Sequence, residues 1–174
     1  MREHSYQPAT AQSALRVQQR LNELNLFSDV VELTVAAKTA QQAADALGVA
    51  LGQIAKSLIF ETGEINNPQP LLIIASGDLR VDEACVSQLL NTPLNRANPK
   101  RVREWTGYAI GGIPPLGHTT PITTLIDTQL RRFQSIWAAG GTPESVFNIE
   151  TNHLFETLIT LGAREVDVCT NKPS

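Results

Sequence analysis

The sequence predicts an α+β domain built on a mixed β-sheet, and three observations carry that prediction. Strand-like and helix-like segments intermix along 174 residues without the strict alternation of a doubly wound parallel sheet. Hydrophobic residues make up 42% and charged residues 18%, enough apolar material for a core and too little charge for disorder. No repeat, low-complexity tract or linker divides the chain, so residues 1–174 read as a single domain with residues 1–9 as a frayed tail.

Each element has a local reason. Over residues 10–25, Leu15, Val17, Leu21 and Leu24 are spaced for an amphipathic helix. Residues 30–35 are β-branched and alternate, which predicts a strand. Thr39 and Gln42 form a capping-box pattern at the head of an alanine-rich helix, and Gly48 is its expected stop. Residues 54–61 and 70–76 are apolar runs bounded by turn residues, read as adjacent strands joined by a loop over 62–69. Residues 81–90 have helical periodicity, and Asn98 before Pro99 is a good helix start. Residues 108–113 and 121–126 read as strands flanking a glycine- and proline-rich loop. Short strands are predicted at 136–139 and 146–149, then a helix over 151–161 ended by Gly162, then a last strand over 165–168.

Composition excludes several functions. The start, Met1-Arg2-Glu3-His4-Ser5, runs into a polar stretch rather than a secretory leader, and the longest apolar run, 71–75, is too short to span a bilayer. Cys85 and Cys169 lie far apart with no cysteine or histidine near either, against a disulfide framework or a zinc site. A reduced, cytoplasmic protein with no metal and no cofactor is the expectation. A net charge of −3 is not that of a DNA binder or a general nucleic-acid binder. Any RNA contact is therefore local. Arg96, Lys100, Arg101 and Arg103 supply the densest positive charge, with a smaller pair at Arg131 and Arg132. On charge alone a solvated helix face is the simpler reading, and the patch permits RNA binding without demonstrating it.

Three segments could carry chemistry. Lys56 sits among apolar residues at the start of a strand, where it either points to solvent or faces a cleft and pins a substrate oxygen or phosphate. The run Gly111-Gly112-Ile113-Pro114-Pro115-Leu116-Gly117-His118 is tight yet stiff. Such a loop can aim main-chain N–H groups at one oxygen, or serve as an ordinary turn. Ala138-Ala139-Gly140-Gly141-Thr142-Pro143 is a second bend, readable also as a hairpin connection. His118 is a loop histidine that could act as a base; His4 and His153 fit a tail and a helix start. Asp78 and Asp127 suit turn and cap chemistry. No phosphate loop, dinucleotide fingerprint, nucleophile elbow or H-E-x-x-H motif is present.

In this order and spacing, these segments resemble the YbaK/EbsC family of aminoacyl-tRNA deacylases, related to the editing domain inserted in bacterial prolyl-tRNA synthetases. The resemblance runs from Thr39 through Lys56, Ser76-Gly77-Asp78 and Arg101-Val102-Arg103 to the glycine–proline loop and Gly140-Gly141, leaving out about the first thirty residues and the last few. It implies a curved, barrel-like mixed sheet surrounded by helices. It also implies an enzyme that hydrolyses the ester of a mischarged tRNA, with tRNA and an aminoacyl-tRNA synthetase as partners and a role in translation fidelity. Lys56 would be the family's essential lysine, holding the tRNA 3′ end or the aminoacyl group. Gly111, Gly112 and Pro115 fit its G-x-x-x-P loop, which would bind the ester carbonyl, with Ile113, Pro114, Gly117 and His118 around the substrate. Ala139, Gly140, Gly141 and Thr142 would form the other wall. Arg96, Lys100, Arg101 and Arg103 would contact RNA. Related domains carry a histidine soon after the second glycine bend, whereas Thr142 and Pro143 follow here.

An aminoacyl ester is already activated, so hydrolysis needs positioning and oxyanion stabilisation more than a strong nucleophile. Selection by synthetases gives the need: a pocket rejects a side chain smaller by one methylene only about 10–200-fold. A small residue (alanine, cysteine or serine) on a proline-type tRNA is the expected substrate. The rivals are an inactive tRNA- or synthetase-binding module of the same fold, which would have no need of Lys56 and the glycine loop, and a hydrolase of free amino-acid derivatives.

Overall fold

The computed structural model describes residues 5–171. In chain order the elements are β1 (Tyr6–Pro8), α1 (Gln12–Glu23), β2 (Val30–Leu33), α2 (Ala40–Leu47), β3 (Ile54–Glu64), β4 (Asn67–Ser76), β5 (Arg80–Val81), α3 (Glu83–Leu90) and β6 (Leu94–Arg96). They continue with α4 (Pro99–Thr106), β7 (Thr123–Asp127), β8 (Ser135–Ala139), β9 (Ser145–Glu150), α5 (Thr151–Thr160), β10 (Arg164–Val166) and β11 (Cys169–Thr170).

Among the described residues the main sheet has nine strands, in the order β1-β2-β9-β8-β3-β4-β7-β10 with β6 added beside β3; β5 and β11 form a separate pair. The pairs β3–β8, β4–β7 and β7–β10 are parallel and the others antiparallel, so the predicted mixed sheet is what forms. The strand path has two ends, β1 and β10.

Burial follows from β4. Its residues 71–76 are all buried, so the strand carries a continuous apolar run rather than an alternating one. Leu72 and Ile74 pack with Ala14, Val17 and Leu21 of α1, Val102 of α4 and Leu154, Phe155 and Leu158 of α5. Leu71 and Ile73 face the other way, onto Val86 of α3, Leu125 and Val168. A smaller cluster joins α2 to Leu33, Ile54 and Val146.

Caps form largely as expected. Thr39 Oγ1 accepts from the Gln42 N–H at 3.1 Å, but the Gln42 side chain reaches past Thr39 to the Lys38 N–H at 2.8 Å. Asn98 Oδ1 accepts from Lys100 N–H at 2.8 Å. Asp127 does cap a turn, accepting from Gln129 N–H at 2.9 Å, and also takes the buried Val168 N–H.

Four expectations change. Tyr6–Pro8, placed in a frayed tail, pair with β2 through Tyr6↔Leu33, Gln7↔Glu32 and Pro8↔Val31; residues 1–4 lie outside the described residues. Most of the expected loop over 62–69 is strand, because β3 and β4 extend to a tight turn at Ile65 and Asn66. Residues 81–90 begin with the short β5 before α3 starts. Residues 108–113 are loop, not strand. The Gly112 N–H folds back to Ala109 O at 3.0 Å, and Gly111 has φ of 94°. Tyr108 and Ile113 are apolar because the loop itself packs into the core.

Candidate active site

β3 is the element on which the site is built. β4 pairs with it from Ala55 to Glu64, so any other strand must use the opposite edge. That edge is shared: β8 pairs with Ile54 and Ala55, and β6 pairs with Phe60, Glu61 and Thr62. Between them, among the described residues, residues 56–59 have a strand on one side only. The interruption opens the sheet.

Lys56 lies at this opening. It is half-buried, and its Nζ donates to Leu79 O at 2.8 Å. Burial holds its pKa below the ordinary lysine value; Cys169 and Asp78 oppose that shift and Arg80 adds to it. The turn carrying Leu79 is fixed from behind. Ser76 Oγ lies 2.6 Å from Gly52 O and 2.8 Å from Asp78 Oδ1, and Arg132 donates to Asp78 Oδ1 at 2.7 Å and Oδ2 at 3.0 Å. The lysine is thus neither a free surface lysine nor an ion-pair partner. It is a cation steered by one carbonyl.

Two cavities meet at the opening. The first, about 270 Å³, lies between Lys56, Gly111, Ala139, Pro143 and the start of α2 at Lys38 and Thr39, with Trp137 and Val146 in its apolar wall. The second, about 440 Å³, runs along β3 toward β6, with Arg80 and Arg96 on its lining. Lys56, Ser57, Leu58, Ile110 and Ile113 line both.

The two glycine bends are clasped together. The Gly141 N–H donates to Gly112 O at 3.0 Å, and a Cβ on Gly112 would stand 2.7 Å from Thr142 Cα. Gly141 has φ of 110° with the Ser13 main chain against it, so a side chain has neither the conformation nor the room. Gly140 donates to Ser145 O at 2.7 Å. Thr142 Oγ1 lies 2.6 Å from Ser145 Oγ and accepts from the Ser145 N–H at 3.0 Å, which ties the bend to the start of β9.

The residues singled out from the sequence therefore separate into three groups. Lys56, Gly111, Ile113 and Ala139 meet at the first cavity. Gly112, Pro114, Gly140 and Gly141 are buried, and the clasp makes the glycines among them a brace behind that cavity. Pro115, Gly117 and His118 line a different cavity of about 630 Å³ together with Arg16 and Arg20. There His118 Nε2 lies 2.7 Å from Pro114 O, and burial lowers its pKa. One loop thus feeds two cavities.

Arg96, Lys100, Arg101 and Arg103 are all exposed, on or beside α4. Arg101 is engaged with Glu61, at 2.9 and 3.0 Å to its two carboxylate oxygens. Arg131 and Arg132 are likewise paired, to Glu165 and Asp78. Sequence reasoning missed Ser57, whose Oγ is buried without a hydrogen-bond partner among the described residues. It also missed Lys38, Trp137 and Ser145 on the cavity wall, where Pro143 of the second bend also lies. The strand pattern hid Ser57, since nothing local announces that β3 loses a neighbour there.

Comparison with known proteins identifies the family. Residues 34–157 match the model of a family described as the aminoacyl-tRNA editing domain. The chain is 33% identical over 153 residues to the uncharacterized protein YwhH of Bacillus subtilis strain 168, covering 88% of this chain and 94% of that one. It is 28% identical over 131 residues to proline–tRNA ligase of Nitratidesulfovibrio vulgaris strain DP4, where the match covers 75% of this chain and only 21% of the ligase. A solved structure described as a proposed trans-editing enzyme for prolyl tRNA synthetase superposes with a TM-score of 0.80 at 39% identity, covering 93% of this chain and 99% of that one.

Proposed function

Because the chain belongs to the aminoacyl-tRNA editing domain family, we propose that it is a trans-acting aminoacyl-tRNA deacylase that hydrolyses the ester of a mischarged tRNA. The observation that carries this reading is the meeting of Lys56 and the Gly111 main chain at one small, mostly apolar cavity. Its volume of about 270 Å³ and its walls of Ala37, Ala40, Ala43 and Val146 suit a small side chain: alanine, cysteine or serine, carried on a proline-type tRNA. Similarity to proline–tRNA ligases supports the choice of tRNA. The reading places the protein in the cytoplasm, where charged tRNA is.

The chemistry needs no protein nucleophile. Water attacks the ester carbonyl carbon, the carbonyl oxygen takes up negative charge, and the bond from carbon to ribose oxygen breaks. That ribose oxygen leaves with a proton, releasing the amino acid and tRNA with both terminal hydroxyls free. Main-chain donors around exposed Gly111 stabilise the oxyanion, while Gly112 spends its N–H on Ala109 O and keeps the bend in shape. The Lys56 ammonium, held by Leu79 O, orients the aminoacyl group or a terminal phosphate. The neighbouring ribose hydroxyl directs the water, so tRNA with hydrogen in its place should not turn over. Arg96, Lys100 and Arg103 steer the acceptor stem, which predicts activity that falls as salt rises.

The test is deacylation of a panel of aminoacyl-tRNAs by the wild type and by Lys56→Ala. Turnover of one or a few esters, lost in a folded Lys56→Ala protein, supports the reading and names the substrate. No turnover of any ester by the wild type would return the chain to the binding-module reading, and an active Lys56→Ala protein would remove the lysine from the mechanism.

A further inference from the structure

The gap in the sheet has a chemistry of its own. Successive residues of a strand direct their main-chain groups to alternate edges. The tight turn between β3 and β4 closes on the pair Glu64↔Asn67, and the register is unbroken back to Ala55↔Ser76. Even-numbered residues of β3 therefore bond to β4 and odd-numbered ones face away. The Gly63 N–H confirms this by donating to Thr92 Oγ1, on the β6 side, at 3.0 Å. Ser57 and Ile59 thus present an N–H and a C=O each to the gap between β8 and β6, where no strand of the described residues pairs with them. These main-chain groups border the cavities on a half-buried stretch of strand, and the buried Ser57 Oγ, which has no hydrogen-bond partner among the described residues, belongs to the same stretch.

We infer that this open edge, with the second cavity of about 440 Å³, is a nucleoside seat that reads the terminal adenosine of the tRNA by main-chain hydrogen bonds. The inference rests on the deacylase reading. An adenine edge offers a donor, the N6 amine, beside an acceptor ring nitrogen, and a strand edge offers C=O beside N–H. Val102, Ile110 and Ile113 give the base apolar faces, and Arg80 and Arg96 on the same lining supply positive charge for a phosphate. The gap spans four residues, roughly 13 Å of strand, and both ends are occupied by other strands. That is ample for one base edge and cramped for an added peptide strand. The two cavities share Lys56 and Ser57, so an adenosine in one and a small aminoacyl group in the other would put the ester between them, beside Lys56.

The inference makes an unusual demand on mutagenesis, because the reading groups belong to the main chain. The Ile59 N–H faces the gap and makes no bond to β4, so Ile59→Pro deletes one reading group while sparing the ladder. Ser57→Ala deletes the hydroxyl alone. The experiment is a titration of the ¹⁵N-labelled protein with adenosine 5′-monophosphate and with inosine 5′-monophosphate, whose O6 accepts where the adenine amine donates. It is paired with deacylation of acylated minihelices ending in adenosine or inosine. Shifts at the Ser57 and Ile59 amides with the adenosine nucleotide, weaker for inosine by about tenfold, are expected. A similar loss in kcat/KM for the inosine-ended minihelix should follow, and Ile59→Pro, once shown to be folded, should lose most of that preference. Equal response to both nucleotides, or shifts absent from residues 57–59 at saturating minihelix, would overturn the seat. Deacylation without base preference defeats the seat and spares the enzyme; adenosine-specific shifts without any deacylation defeat the enzyme and spare the seat.

Discussion

β3 and β4 are the two arms of one hairpin, joined over ten residue pairs, yet they live in different environments. β4 has β3 on one edge and β7 on the other through residues 71–74, and its residues 71–76 are all buried. β3 has β4 on one edge and a broken neighbour on the other, and residues 56–59 are only partly buried. The completed strand holds the molecule together. The interrupted one carries the lysine, the unpartnered serine and both cavities.

Stability should separate the two arms most sharply. Ile73→Ala empties a fully buried position between α3 and β7 and should cost about 2–5 kcal/mol in urea unfolding. Ser57→Ala, one strand away, removes a hydroxyl that has no partner and should change stability by less than about 0.5 kcal/mol in either direction. An equally damaging Ser57→Ala would mean that the serine holds the strand rather than waits for a ligand.

Activity should invert the order. Lys56→Ala should lower kcat/KM at least about a hundredfold, about 2.7 kcal/mol, while the protein melts no earlier than wild type, since a half-buried ammonium is removed. A stability loss matching the activity loss would make the lysine a structural member of β3.

The glycine bends sharpen the comparison at a smaller scale. Gly112→Ala forces a methyl against the Thr142 main chain and should cost about 1–3 kcal/mol, seen as an earlier thermal transition. Gly111→Ala meets only Pro143 side-chain atoms at 3.6 Å, so its cost is that of holding alanine at a φ of 94°, about 1 kcal/mol. Its larger effect should fall on kcat, because residue 111 faces the cavity and residue 112 does not.

What the sequence disclosed follows the same division. The uninterrupted run at 71–75, the Thr39 and Asn98 caps and the α5 periodicity are local signals, and each became the expected element. Lys56 and the glycine loop were legible because chemistry-bearing residues stand out against apolar neighbours. Illegible were the features set by distant partners. β1 exists because β2 offers it an edge, and the loop over 108–113 mimics a strand because Tyr108 and Ile113 fill the core. The separation of His118 from Lys56 depends on the direction of a bend, which spacing does not encode. The gap beside Ser57 depends on where two other strands end.

The smallest expected effect tests how the end of β4 serves β3. Arg132 donates to Asp78 and holds its carboxyl below the ordinary value of 3.8, aided by Ser76 and opposed by burial. A depressed carboxylate stabilises the fold fully above its unfolded pKa and loses that contribution as pH falls through the folded one. The pair is more than a third exposed on the arginine side, so its worth is about 0.2–1 kcal/mol. Asp78→Asn should therefore be slightly less stable than wild type near about pH 7, and the gap between the two urea midpoints should close as pH drops below about 3.8. Because Asp78 adjoins Leu79, whose carbonyl steers Lys56, the same substitution should lower kcat at neutral pH by more than the stability change accounts for. An unchanged kcat would show that the Leu79 carbonyl keeps its place without the Asp78–Arg132 brace, and that β3 alone positions the lysine.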